Sequence, residues 1–428
     1  MQKSHIRLLS VSVLCATALF AASGLLAADA PKSVLKKGDR VAVLGDSITE
    51  QKQYSKFIEI YLTACLPDLE LHIIQLGWSG ETAPGLQGRM EYDLMPFNPT
   101  VATTCYGMND GGYKPFNEAT GNAYRNAMTA IVNRLKTAGA TIVVGAPGAV
   151  DTKAYRKGGD APKMYNITLG ELRDIAHKLA DSSGMPFANV HDTMMDTMEL
   201  AKAALGENYD VCGGDGVHPN ANGQLVMAYA FLKGMGLDGD IGTITVDMKG
   251  QATATDGHKV ISAASGKVEL ESTRYPFCFF GDEKSSGSTR SILPFLPFNR
   301  DLNRLKLVVN NLDGEKAKVT WGAASKVFAK ADLEKGINLA EQFLDNPFCE
   351  QFHVLEGAVA TKENFETPMT KECFHSLPNV VKLLDKPDAE ATMDLVRKKL
   401  FEKYEKLHET VRAAHIPVKH TLTITVEK

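Results

Sequence analysis

Several features that mark large functional classes are missing from this chain. None of its seven cysteines forms a Cys-x-x-Cys pair, so neither a zinc ribbon nor a dithiol redox centre is indicated. No strongly basic segment stands out, and the formal net charge is -4, so a nucleic-acid backbone is not an expected partner. No internal repeat stands out, which sets solenoids aside. Beyond the first thirty residues there is no long lipophilic run, so no stable membrane insertion is expected from the rest of the chain. What remains, with hydrophobic residues at 44% and charged residues at 23% of 428, is an ordinary globular composition, long enough for more than one domain.

The amino terminus stands apart. Lys3 and Arg7 precede an uncharged stretch from Leu8 to Ala28, which then meets Ala28-Asp29-Ala30. That is the layout of a secretory signal over residues 1–30, and it predicts a secreted or periplasmic protein. An uncleaved anchor is the other reading; Ser10, Ser12, Thr17, Ser23 and Gly24 make the run a poor span. Cleavage would remove Cys15 and leave Cys65, Cys105, Cys212, Cys278, Cys349 and Cys373. In an exported protein they are free to form disulfides whose pairing the sequence does not choose, or to serve as small buried apolar residues.

Two regions follow, 31–236 and 237–428. In the first, short apolar runs (RVAVLGDS, LELHIIQLG, TVATTCYG, TIVVGAP and MPFANVHD) alternate with helical patterns at Ser55 to Cys65, Asn122 to Ala138, Thr168 to Ser183 and Ala221 to Met235. Alternation of this kind predicts an α/β fold, a parallel sheet covered by helices on both faces, with ligands at the carboxyl ends of the strands. In the second region, ITVDMKGQATATDGHKVISAASGKVELES and LKLVVNNLDGEKAKVTW are rich in β-branched residues and carry Asp-Gly and Ser-Gly turns, which predicts antiparallel hairpins. A terminal helix is expected from Ala389 to Ala414, opened by Pro387-Asp388. Its apolar stripe of Val396, Leu400, Tyr404, Leu407 and Val411 is expected to dock on the main body, and a last strand, LTITVEK, closes the chain.

Four polar stretches fall at strand ends or a helix start. In VAVLGDSITE a run of buried-type residues stops at Gly45-Asp46-Ser47, which makes Ser47 a candidate nucleophile. An ordinary β-to-α turn, with Ser47 or Thr49 capping the next helix, would use the same residues. GWSGET contains Gly80, which could bring a backbone N–H close to a substrate; YGMND contains Asn109, an uncharged side chain with NH donors. In GGDGVHPNANG, Asp215 and His218 stand three residues apart, a spacing at which a carboxylate can orient an imidazole towards a serine. His177 and His191 read as surface or core residues, and Asp46 and Asp110 as groups that hold loops in shape.

Taken in order, GDS at Gly45 to Ser47, the glycine of SGET at Gly80, GMND at Gly107 to Asp110 and DGVH at Asp215 to His218 resemble the four sequence blocks of the SGNH (GDSL) hydrolase superfamily. The likeness covers about residues 40 to 236. It implies a flavodoxin-like core with Ser47 as nucleophile, His218 as base and Asp215 as its orienting acid. It also implies that the N–H of Ser47, Gly80 and Asn109 supply the oxyanion hole. Gln75 stands where many members carry asparagine. No Gly-x-Ser-x-Gly occurs, which argues against the α/β-hydrolase elbow.

The function that follows is a serine esterase that needs no metal and no organic cofactor. Its expected substrate is acylated carbohydrate, chiefly O-acetylated, with Trp78 and Tyr106 as candidate lining of the pocket. A lipase, lysophospholipase or thioesterase is the same-class alternative, and a glycan-binding protein with a silent site is the other.

Overall fold

The computed structural model describes residues 32–384 and 389–427. The signal-like segment 1–30 and the Pro387-Asp388 helix start lie outside the described residues.

The first region is built on five parallel strands: β1 Arg40–Gly45, β2 His72–Gly77, β3 Val101–Cys105, β4 Thr141–Gly145 and β5 Phe187–Ala188, in the order β2-β1-β3-β4-β5. This is a doubly wound order of the flavodoxin kind. Burial on both faces explains the unbroken apolar run of β1. Val41 and Val43 point into one hydrophobic cluster and Ala42 and Leu44 into the other, and all four are wholly buried. Around the sheet run α1 Ser47–Glu50, α2 Tyr54–Cys65, α3 Ala83–Asp93, α4 Glu118–Thr137, α5 Ala161–Ser183, α6 Val190–Leu205 and α7 Ala221–Gly234. The helices α4 and α5 start earlier than their apolar periodicity suggests. Asn117 caps α4 by accepting the Thr120 N–H at 3.0 Å, and Pro162 sits in the first turn of α5.

The second region adds β6 Asp240–Asp247, β7 Gln251–Ala254, β8 His258–Ala264, β9 Lys267–Ser272, β10 Arg304–Asn310, β11 Lys316–Trp321, β12 Ala324–Ala329, β13 Ile337–Asn338 and β14 Val418–Glu427. They form a four-stranded sheet, β13-β10-β6-β7, and a five-stranded one, β12-β11-β14-β9-β8. The expected hairpins β6–β7 and β8–β9 are present. LKLVVNNLDGEKAKVTW is not a hairpin, however. Its first half, β10, runs parallel to β6, while its second half, β11, pairs antiparallel with β12 and β14 in the other sheet. Asn311, at φ 56, and Asp313-Gly314 carry the chain from one sheet to the other instead of folding it back.

Two long helices from the second region, Cys349–Pro368 and Ala389–Ala414, lie against the first. They cover β2, which stands at the edge of the parallel sheet and would otherwise expose unpaired backbone groups. Ile73 C=O accepts from Lys362 Nζ at 2.8 Å and from the Tyr404 hydroxyl at 2.9 Å, and Gln75 N–H donates to Glu366 Oε2 at 3.0 Å. Lys362 also bonds Glu59 on α2, at 3.0 Å, and Glu366. With Glu363, these make a cluster of three carboxyls and one ammonium, all entirely buried. Burial pushes the Glu59 carboxyl up to about 7 and Glu363 well above its ordinary range. Tyr404 and Val411 of the terminal stripe are buried, while Val396, Leu400 and Leu407 are half-buried.

Candidate active site

The site forms where β1, β2 and β3 end. Gly45 and Gly77 are register partners on β1 and β2, and a Cβ on Gly77 would stand 2.2 Å from the Glu50 nitrogen. Only a glycine lets α1 lie across the end of β2, and this sets the place of its first residue, Ser47. Asp46 caps α1 by accepting the Ile48 N–H at 3.0 Å. Burial first, then the nearby charges of Asp110 and Glu81, push the Asp46 carboxyl up to about 7 against the opposing Ile48 hydrogen bond.

Ser47 Oγ lies 2.9 Å from His218 Nε2, and His218 Nδ1 lies 2.7 Å from Asp215 Oδ2. The second Asp215 oxygen accepts the backbone N–H of Val217 and of His218, each at 2.9 Å. Partial burial works to raise this carboxyl, but the bonds from the His218 ring and the two N–H groups outweigh it and hold Asp215 below the ordinary carboxylate range. It is therefore an anion at neutral pH, able to fix the ring and stabilise an imidazolium. The turn that carries the pair is tight: at Gly213, φ 78, a Cβ would meet the His218 carbonyl oxygen at 1.8 Å.

Three donors surround the same edge. Ser47 opens α1, and among the described residues neither its N–H nor that of Gly80 takes a hydrogen-bond partner. Gly80 is exposed and adopts φ 75, a conformation that favours glycine. Asn109 commits one amide proton to the Glu81 carbonyl at 3.0 Å; beyond that, Nδ2 has only a 3.5 Å contact with Asp46. Asp110 shapes this loop by accepting the N–H of Ala83 and Gly107, each at 2.9 Å.

The sequence reading missed Tyr113. Its hydroxyl donates to Asn109 Oδ1 at 3.0 Å, which fixes the amide with Nδ2 towards the site, and its ring stacks on Tyr165 with centroids 4.9 Å apart. Burial pushes the hydroxyl up to about 12, so it stays a proton donor at neutral pH. Tyr113 holds φ 56, and the Gly111-Gly112 pair before it is the sole sequence signal that the chain turns back there.

Two candidate pocket residues are placed otherwise than expected. Tyr106 is wholly buried and donates to Glu81 Oε2 at 2.7 Å, so it packs beneath the site instead of lining it. Trp78 is half-buried, but Arg89 and Lys371 stand over its ring at 4.9 and 4.6 Å and His375 meets it edge-on at 4.8 Å. Its ring is thus committed to the protein's own side chains. His177 is exposed and stacks on Phe187, and His191 is buried between Asp192 and the Asn166 carbonyl. The six described cysteines are unpaired, and among the described residues no group of three or more His, Cys, Asp or Glu side chains could hold a metal ion.

Residues 43–226 match the GDSL-like Lipase/Acylhydrolase family. An acetylxylan esterase of Geobacillus stearothermophilus is 23% identical over 220 residues, covering 47% of this chain and 95% of that relative. Among solved structures, a gut microbial diltiazem-metabolizing enzyme superposes with a TM-score of 0.71 at 21% identity, over 93% of this chain and 99% of that one. The fold of both regions together is therefore shared with that protein.

Proposed function

We propose, from the premise that residues 43–226 belong to the GDSL-like lipase/acylhydrolase family of the SGNH superfamily and that the chain is a serine carboxylic ester hydrolase, that it removes O-acetyl groups from exported or extracellular carbohydrate. The observation that carries the mechanism is the relay from Ser47 through His218 to Asp215, with contacts of 2.9 and 2.7 Å. His218 Nε2 takes the Ser47 proton as Oγ bonds to the ester carbonyl carbon. The carbonyl oxygen becomes an oxyanion received by the N–H of Ser47 and Gly80 and by Asn109 Nδ2. His218 then protonates the departing alcohol, which leaves an acyl-serine. A water molecule loses its proton to the same nitrogen, attacks the acyl carbon and releases the acid, and Ser47 recovers its proton.

The acetyl and carbohydrate parts of the reading draw support from the acetylxylan esterase relative and from the open setting of the site. Ser79 and Gly80 are exposed and Ser47 and His218 half-buried, which suits a small acyl group hung on a bulky polar alcohol. Export rests on the residues 1–30 alone. The test compares kcat/KM for acetyl and decanoyl esters of one leaving group, alongside acetate release from O-acetylated glycans. The acetyl ester is expected to be preferred and acetate to be released. A decanoyl preference would overturn the carbohydrate reading in favour of a lipase.

A further inference from the structure

Gly80 is the least anchored of the three donors. Among the described residues neither its N–H nor its C=O takes a hydrogen-bond partner, so its own backbone is held through the residues on either side. One of these, Glu81, is buried, with both carboxylate oxygens on Arg89 at 2.6 and 2.7 Å. The other, Ser79, is exposed and is held by a single carboxylate: Glu50 Oε2 accepts the Ser79 N–H at 2.5 Å and the Ser79 hydroxyl as well.

Glu50 is the last residue of the short helix that Ser47 begins, so one side chain ties the helix bearing the nucleophile to the loop bearing the donor. Its other oxygen, Oε1, receives Lys371 Nζ at 2.7 Å, from the π-helical stretch Met369–Phe374 that continues the helix Cys349–Pro368. The same ammonium stands over the ring of Trp78, the residue before Ser79. Both partners are largely shielded, with side chains 23% and 18% exposed, so the pair is not a loose surface contact. Neither Glu50 nor Lys371 falls within GDS, SGET, GMND or DGVH, and Lys371 lies 321 positions along the chain from Glu50.

We propose that Lys371 and Glu50 are positioning residues for ester hydrolysis: the second region of the chain sets the distance between Ser47 and the Gly80 donor through the Lys371–Glu50–Ser79 bridge. This rests on the reading of Gly80 as an oxyanion donor. The donor matters only when negative charge has formed on the substrate oxygen. Loosening it therefore costs turnover and not substrate affinity.

The test uses the full chain with a p-nitrophenyl acetate assay and a small alkylboronic acid, which forms a tetrahedral adduct on the serine. Lys371→Met is expected to lower kcat about tenfold with KM within about twofold, to weaken the boronic acid by a similar factor, and to leave the thermal midpoint nearly unchanged. Lys371→Arg is expected to restore most of the loss, and Glu50→Gln to reproduce it without adding to Lys371→Met in the double variant. If Lys371→Met folds poorly, Ser79→Ala, at an exposed site, should show the same pattern at about threefold. Wild-type kcat in Lys371→Met or Ser79→Ala, or a fall in kcat with no change in boronic acid affinity, would overturn the proposal while leaving the serine esterase reading intact. Full activity in Ser47→Ala would remove that reading itself.

Discussion

The edge of the sheet that carries Ser47 and the seam that covers β2 are both built from charged residues, and they treat charge in opposite ways. At the catalytic edge, Asp215 is partly open to water, each of its oxygens has a donor, and its carboxyl is held below the ordinary range. At the seam, Glu59, Lys362, Glu363 and Glu366 are fully enclosed. Burial pushes the carboxyls up, and one oxygen each of Glu59 and Glu363 has no hydrogen-bond partner among the described residues. With Ser47, His218 and Asp215 acting as proposed, the first arrangement keeps a proton relay ready. The second spends stability to fix one helix against one strand, the bargain expected of buried ionic groups.

If that contrast holds, substitutions should separate activity from stability. Ser47→Ala is expected to lower acetyl-ester turnover by about 10⁴-fold or more, with an unchanged urea midpoint. Lys362→Met leaves three buried carboxyls with no counter-charge, and should cost about 3 to 5 kcal/mol of unfolding free energy in urea titration. Loss of turnover in Lys362→Met without loss of stability would merge the two regions into one. Asn109→Ala should lower turnover about 10² to 10³-fold at constant fold.

Asp46 belongs to the catalytic edge yet is buried like the seam, which sharpens the comparison. Its folded carboxyl titrates at about 7, above its unfolded value, so its contribution to stability is fully present below the unfolded pKa and is lost as pH rises towards 7. Wild type should therefore lose roughly 2 kcal/mol relative to Asp46→Asn between about pH 5 and pH 7, read from paired urea titrations. A constant difference between the two would show that Asp46 stays charged. The smallest effect is expected at Tyr113→Phe, about fivefold in kcat, because it removes one hydrogen bond that holds the Asn109 amide.

The parallel sheet was legible because both faces of β1 are buried, which leaves an unbroken apolar run that ends where the polar residues begin. The four stretches around Ser47, Gly80, Asn109 and His218 could be read for the same reason: each closes a strand or opens a helix, and contacts along the chain set its shape. Tyr113, Glu50 and Lys371 were not legible. Their roles come from packing between segments far apart in sequence, and Lys371 in isolation is one of many lysines on a helical stretch. Tyr106 and Trp78 misled because adjacency in sequence to Gly107 and to Ser79 says nothing of where a ring points. In Tyr106 it turns into the core, and in Trp78 it turns under two cations. In β10, Leu305, Leu307 and Val309 alternate as they would in any strand, and the pattern does not tell a hairpin partner from a parallel one.

The cover over β2 also has a timetable. Ile73 and the lysine that caps it are 289 residues apart. At roughly 5 to 20 residues per second of synthesis, about 15 to 60 seconds separate the emergence of the edge from that of its cover. During that interval β2 presents open backbone groups, and the partner best shaped to meet them is the same edge on another nascent copy. Until that cover arrives, an edge strand left open in this way can pair with the same edge on another copy.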